Sequence, residues 1–396
     1  MDIASFKDSP IGHLVPISGL DPRLNREFNH WAFVPKALPE DLSLRSETHS
    51  LVAMASREIG RLQSAFEQLP RPEILLQTSL KREAQSTSAL EGTYAPLESI
   101  FEGEFLPEAE TPSDVREILN YIKAANLGIE RVKEKPIHIN LLSELQGLIV
   151  DKTPGGQLNK GQVRTTPVII GDHNEPVEKA RFVPPPAGEI LNAGYSDWEK
   201  WINREHSFSH LIVIALSHYQ FEALHPYNDG NGRLGRLVIS LQFATLDLLT
   251  PPTLNLSAWF NDHKIEYRNQ LLHLSQTGDF DAWVAFFARA VIEQVKSEIQ
   301  RIKALLGFRN QMLTQIKSSG ARGMITEMPE TILATPYFTV QRIADKHQVS
   351  YPAASAVITK LVEFGFLREI TGKSYGKLFI CNEVLNILNR SLQQPK

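Results

Sequence analysis

Apolar residues recur at helical spacing through most of the chain. Leu51, Met54, Ala55, Ile59, Leu62 and Phe66 fall on one face and predict a helix over residues 46–69. Pro70 and Pro72 end it. A second helix is predicted from Glu73 to Leu90, with Gly92 as its C-cap. Val115, Ile118, Leu119, Ile122 and Ala125 predict a third within residues 112–133, and a fourth covers 137–151. Another is predicted to begin at Trp198 to Arg204. Two apolar runs, Leu211 to Leu216 and Leu237 to Leu249, read as buried helices joined by a tight loop. Leu254 to Leu272 is again helical. Ile292, Val295, Ile299, Ile302 and Leu306 lie in phase along a long helix from Phe280 to about Lys317.

The pattern changes elsewhere. Residues 1–45 are rich in proline and read as irregular, with Trp31, Phe33, Pro35, Leu38 and Pro39 forming a hydrophobic strap over the helices. A glycine-rich loop is expected from Thr153 to Gln162. Val163 to Gly171 and Ala180 to Pro186 then read as the two arms of a β-hairpin. Ser318-Ser319-Gly320 breaks the long helix and marks a domain boundary. Beyond it, Val340 to Lys346 is a short helix. Ser350 caps a second, with Ala353, Val357, Leu361 and Phe364 on one face and Gly365 at its end. Phe366 to Ile370 and Lys377 to Cys381 predict a two-stranded wing around residues 371–376. The expected fold class is mainly α: a helical bundle with a β-hairpin flap, followed by a C-terminal winged-helix module. The expected divisions are 1–110, 111–317 and 321–396.

Composition narrows the function. Of 396 residues, 42% are apolar and 22% charged, as in ordinary globular chains. The net charge of −4 gives no global attraction to nucleic acid or anionic membrane. A lone cysteine, Cys381, excludes an internal disulfide framework and suits a reducing cytoplasm. The first twenty residues do not have the pattern of a signal peptide, and no apolar run approaches a bilayer span. From Tyr337 onward there are eight Lys and Arg against four Asp and Glu, a mildly basic balance. The second helix there is expected to expose Ser355, Thr359 and Lys360, few cations for tight DNA binding. Protein docking or homodimerisation is therefore preferred for this module over DNA binding.

Chemistry concentrates in His225-Pro226-Tyr227-Asn228-Asp229-Gly230-Asn231-Gly232-Arg233-Leu234-Gly235-Arg236. Pro226, Asn228, Asp229 and Gly230 predict a turn, and glycine there allows close approach of backbone to ligand. Amides opening the next helix face an anion, and Arg233 and Arg236, one turn apart, can reach one charged group. The stretch reads as a cradle for a nucleotide polyphosphate, with Asp229 holding Mg²⁺. His225, at its edge, can take a proton from a hydroxyl attacking phosphorus. Glu222 is expected to brace the loop. His206 and His210 have a zinc-pair spacing, but no third ligand follows, and a helix start is preferred.

This stretch resembles the signature of Fic-domain proteins, His-Pro-Phe-x-Asp/Glu-Gly-Asn-Gly-Arg-x-x-Arg, departing from it only at Tyr227. The resemblance implies a Fic-type helical bundle that transfers AMP from ATP to Ser, Thr or Tyr hydroxyls of a target protein, itself included. It implies His225 as general base, Asp229 as metal holder, and Gly230, Asn231, Gly232, Arg233, Leu234, Gly235 and Arg236 as the phosphate site. Thr87-Ser88-Ala89-Leu90-Glu91-Gly92 is similar to the family's inhibitory pattern, so Glu91, with Thr87, is expected to occupy Arg236 and restrain ATP. In some relatives that glutamate also aligns water that removes AMP. The hairpin resembles the family's flap, implying that Val168, Ile169 and Ile170 dock the target. Leu254 to Leu272 resembles the helix over the adenine. His263 stands where an asparagine is common, with Tyr267 nearby. Two alternatives remain open: a DNA-binding transcriptional regulator whose core only senses nucleotide, and an enzyme using another donor, such as a phosphorylated choline.

Overall fold

The computed structural model describes all residues except 22–23, 68–72, 154–158, 173, 251–253, 373–375 and 390–396. Pro70, Pro72, the middle of the glycine-rich loop and the tip of the wing thus lie outside the described residues.

The chain opens with a surprise. Residues expected to be irregular form an antiparallel hairpin, β1 (Gly12–Asp21) and β2 (Arg26–Pro35). Phe33 donates its N–H outward to Val183 O at 2.9 Å, so the Leu14–Phe33 pair is not hydrogen-bonded, nor is Pro16–Trp31 two residues on. The missing N–H of Pro16 therefore faces a free edge, where proline is tolerated. Proline content misled because the sheet has only two strands, and each has an open side. Phe33 is buried in a cluster with Phe6 and Phe182, centroids 5.3–5.9 Å apart, whereas Trp31 stays exposed.

The helices then follow the apolar spacing. In order they are α1 (Ser46–Glu67), α2 (Glu73–Glu91), α3 (Leu97–Gly103), α4 (Ser113–Arg131), α5 (Ile139–Ile149), α6 (Glu189–Ile202), α7 (His210–Leu224), α8 (Asn231–Thr245), α9 (Leu256–Asp262), α10 (Lys264–Thr277) and α11 (Phe280–Ser318). The two apolar runs become α7 and α8, buried on nearly every side, as a helix without a polar face must be. Around them pack α2, α4, α5, α6, α10 and α11. Two expectations need correction. α6 starts at Glu189, where Gly188 takes φ 97°, nine residues before the predicted start. The 254–272 stretch is two helices, broken at His263. The preferred helix start within 206–210 holds: α7 begins at His210 after Ser209, and His206 Nε2 lies against Trp201 O at 2.7 Å.

The expected flap hairpin is reduced to a single antiparallel bridge, Ile170–Phe182. Its arms are joined at this one point rather than by a ladder: Ile170 N donates to Phe182 O at 2.9 Å and Arg181 N to Ile170 O at 2.8 Å.

After Gly320, α12 (Met328–Ala334), β3 (Tyr337–Thr339), α13 (Val340–His347), α14 (Tyr351–Glu363), β4 (Arg368–Glu369), β5 (Leu378–Ile380) and α15 (Asn382–Asn389) follow. The strands form an antiparallel sheet in the order β3-β5-β4. Ser350 caps α14, as expected. Its buried face is Ala354, Ile358 and Leu361, one residue off the predicted phase, so Ala353 is exposed. The outward face holds Tyr351, Pro352, Ala353, Ala356, Thr359 and Val362, more apolar than anticipated. This part seats on the bundle through α12 against α2 and α11, and α15 against α3 and α11.

Candidate active site

The turn between α7 and α8 has two left-handed points. His225 caps α7 at φ 48° and ψ 60°, a conformation that few non-glycine residues adopt, with its N–H on Phe221 O at 3.0 Å. Gly230, at φ 79°, makes the second bend directly before α8. Between them Asn231 clasps the backbone of Tyr227: its Oδ1 accepts from Tyr227 N at 2.8 Å, and its Nδ2 donates to Tyr227 O at 2.7 Å. The Tyr227 hydroxyl lies buried between Ser143 Oγ and Tyr195 Oη, 3.1 Å from each, so tyrosine is accommodated by partners of its own. Gln146 anchors the turn to α5 by donating to Asp229 O at 3.0 Å.

The turn forms one wall of a cavity of about 690 Å³, a size typical of small-molecule sites. α8 contributes Gly230, Asn231, Gly232, Arg233 and Arg236. His225 and Glu222 face in from α7, Val168, Ile169 and Ile170 from the flap arm, Tyr267 and Arg268 from α10, and Glu91 from the end of α2. The predicted base, phosphate site, inhibitory residue and flap thus border one space.

Arg233 is held by Glu117 of α4 at 3.1 Å and by Asp229 at 3.3 Å. Arg236 is gripped chiefly from α2. Its Nε donates to Thr87 Oγ1 at 2.6 Å, and its Nη2 to Thr87 O at 3.1 Å and to the Glu91 carboxylate at 2.5 Å. A Cβ at Gly232 would stand 2.2 Å from Glu91 Oε1. The bare first turn of α8 therefore admits a carboxylate where a helix N-terminus attracts anions. The surrounding protein works against charge on Glu91, but Arg236, then Arg233 and Arg268, outweigh it and hold the carboxyl below its usual range.

Burial, and then the Arg164 cation, push the His225 imidazole down to about 4, so the ring is neutral at pH 7 and free to accept a proton. Its Nδ1 has no hydrogen-bond partner among the described residues. Glu222 moves the other way. Burial raises its carboxyl to about 7 although Arg236 is near, and its Oε1 lies unbonded against Gly235. Asp229 is the carboxylate available to a metal: Oδ1 accepts from Gly230 N at 2.7 Å, and the side chain is 41% exposed. Magnesium bound to a nucleotide needs only one or two carboxylates, because phosphates supply other ligands, so this donor set fits.

Three predicted contacts are not among the residues lining the cavity, Gly235 lying against Phe221 and Glu222 instead. Leu234 is fully buried in the core, leaving only its backbone for a ligand. His263 lies on Trp259, centroids 3.9 Å apart, with Nδ1 against Trp259 O at 2.9 Å, outside the cavity lining. Its ring is drawn to the indole at the α9–α10 break, which a continuous helix did not anticipate. Tyr267 does line the cavity, its hydroxyl 2.8 Å from His218 Nε2. Other contributors went unread: Arg164, Glu117, and Lys264 and Arg268, which donate to Ala89 O at 3.4 Å and Leu90 O at 3.2 Å. The last two place cations on the carbonyl end of α2. Their i,i+4 spacing was visible, but not their partner.

Comparison with known proteins agrees with this arrangement. A profile described as Fic/DOC family N-terminal matches residues 49–130, and one described as Fic/DOC family matches residues 136–243. A relative named protein adenylyltransferase Fic from Drosophila ananassae is 29% identical over 213 residues, 51% of this chain and 38% of its own. The protein of the same name from Nematostella vectensis is 31% identical over 134 residues, 33% of this chain and 27% of its own. The matched region thus spans well under half the length of these relatives. The crystal structure of a Fic family protein from Desulfovibrio desulfuricans G20 superposes with a TM-score of 0.56 at 18% identity, covering 87% of this chain and 98% of that one, which shows a shared fold. With the signature turn at its centre, the chain carries a Fic/DOC family N-terminal segment over residues 49–130 and a Fic/DOC family domain over residues 136–243.

Proposed function

We propose that this chain is a protein adenylyltransferase that moves AMP from ATP to a Ser, Thr or Tyr hydroxyl of a target protein and of itself. The observation that carries the proposal is the neutral His225 bordering the same cavity as the anion site of α8 and the flap arm. Curated relatives bearing the adenylyltransferase name support it.

In this reading the triphosphate lies along the first turn of α8, with Arg233 and Arg236 on its oxygens. The acceptor segment lies along Val168, Ile169 and Ile170, as an added strand would. The hydroxyl oxygen attacks the α-phosphorus in line, a new phosphorus–oxygen bond forms, and the bond to the β-phosphate oxygen breaks. The hydroxyl proton passes to His225, and diphosphate departs against the arginines. Positioning and charge stabilisation account for most of such catalysis. Asp229 would hold Mg²⁺, which offsets phosphate charge when bound. Glu91 restrains the reaction by occupying Arg236, and AMP removal by water is the accompanying reverse activity.

The decisive measurement is incorporation from α-labelled ATP with mass spectrometry of the product. His225→Ala should abolish labelling, and the added mass should be that of AMP. Persisting incorporation removes the histidine from the mechanism, and a different mass replaces the donor. The DNA-binding alternative gains little from α14, whose exposed positions carry no cation. A target-docking role suits that face better.

A further inference from the structure

Arg164 is 1% exposed, among the largest fully buried side chains of the protein. Its guanidinium meets only carbonyls. Nε donates to His225 O at 2.8 Å, Nη2 to Pro185 O at 2.6 Å and Leu224 O at 3.4 Å, and Nη1 to Thr166 O at 3.2 Å. Its backbone N–H donates to Pro226 O at 2.9 Å. Among the described residues it has no carboxylate partner, and burial alone lowers it to about 10, so it stays a cation at neutral pH.

A buried charge without a counter-ion is costly unless its donors are satisfied. Here the compensation comes from the negative end of α7 and from the turn behind it. Three consecutive carbonyls, of Leu224, His225 and Pro226, all accept from this one residue. They bracket the left-handed peptide that aims the imidazole. Thr166 and Pro185 are the roots of the two flap arms, just outside Val168–Ile170 on one side and Phe182 on the other. A planar fork can meet acceptors in these separate directions at once; the single ammonium of lysine cannot.

We propose that Arg164 is a positioning residue that sets the base against the acceptor: one buried guanidinium fixes the backbone on both sides of His225 and both roots of the flap. The proposal rests on the transfer reading, since it assigns Arg164 to the step in which His225 takes the acceptor proton. It leaves the phosphate cradle alone, because the hydrogen bonds of Arg164 go to Thr166, Pro185, Leu224, His225 and Pro226.

The test uses the full chain with Arg164→Lys and Arg164→Met, each with Glu91 present and with Glu91→Gly. Transfer rate, ATP affinity by calorimetry, thermal unfolding, and His225 titration by NMR are measured together. Arg164→Met should lower the transfer rate about 100-fold, the usual cost of a misplaced reacting group, with ATP affinity unchanged. Its His225 should titrate at higher pH, because a nearby cation is gone. Arg164→Lys, the variant better able to fold, should keep the low titration of His225 yet still lose rate, because charge without the fork does not hold the turn. A folded Arg164→Met protein with the parent's rate overturns the proposal, and so does a rate that falls only in step with ATP affinity. If the parent chain binds ATP but transfers nothing, the transfer reading fails instead. The hold on His225 is then judged by NMR alone, where an unchanged His225 titration in Arg164→Met overturns it.

Discussion

Glu222 shows how a single buried acid links stability to pH. Its carboxyl is raised from 4.5 to about 7 by burial. The folded state therefore binds more protons than the unfolded state between those values, and stability falls as pH climbs through that window. Its cost should be complete above about 7 and absent below about 4.5. Glu222→Gln removes the term, so its unfolding free energy should gain on the parent's between pH 5 and 8, by on the order of 2 kcal/mol. Denaturant unfolding at both pH values checks it, and a difference independent of pH would contradict it. Glu83, raised to about 7 by burial despite its bond from Ser257, has the same sign but is common to both proteins. At this scale the sequence was legible where chemistry is contiguous. Twelve adjacent residues held the proposed base, the proposed metal carboxylate and the arginines together. Arg164 is 61 residues from His225, and Glu117 is 116 from Arg233. Such pairs are made by the fold, and nothing local to either residue signals them. The clasp of Asn231 on Tyr227 was not legible, because a side chain's hydrogen-bond partner depends on the turn around it.

Among the elements, α2 has the most consequential end. Thr87 and Glu91 sit one turn apart and reach the same guanidinium, while Lys264 and Arg268 from α10 satisfy its last carbonyls. If Glu91 restrains ATP, Glu91→Gly should raise self-modification at least tenfold and tighten ATP binding, as expected when a competing carboxylate is removed from a ligand's place on a buried arginine. Radiolabel incorporation and calorimetry report the two effects; no change in either would leave the contact purely structural. The long helices were legible because their apolar period is strong, whereas the short α3, α12 and α15 offer too few turns for a period to show. The β1–β2 hairpin was not, since prolines at a two-stranded edge look like loop. The flap was overread: β-prone residues were present, but loop roots fixed by Arg164 left one bridge instead of a ladder.

For the whole molecule, the division after Gly320 proves less clean than a break in helical pattern suggested. The C-terminal elements rest on α2, α3 and α11, so they share walls with the bundle. Deleting residues 321–396 should lower the melting temperature of the remainder and raise its self-modification relative to the full chain. Differential scanning calorimetry with a labelling assay measures both. A truncated chain as stable and as restrained as the parent would show that the two parts are independent.

The seat of α12 on α2 has a wider implication. The helix whose Glu91 pairs with Arg236 at one end serves as a foundation for the tail along its flank. Whatever grasps the tail would be pulling on the same rod that holds Glu91 to Arg236, and could loosen or tighten that clasp from the far side of the protein.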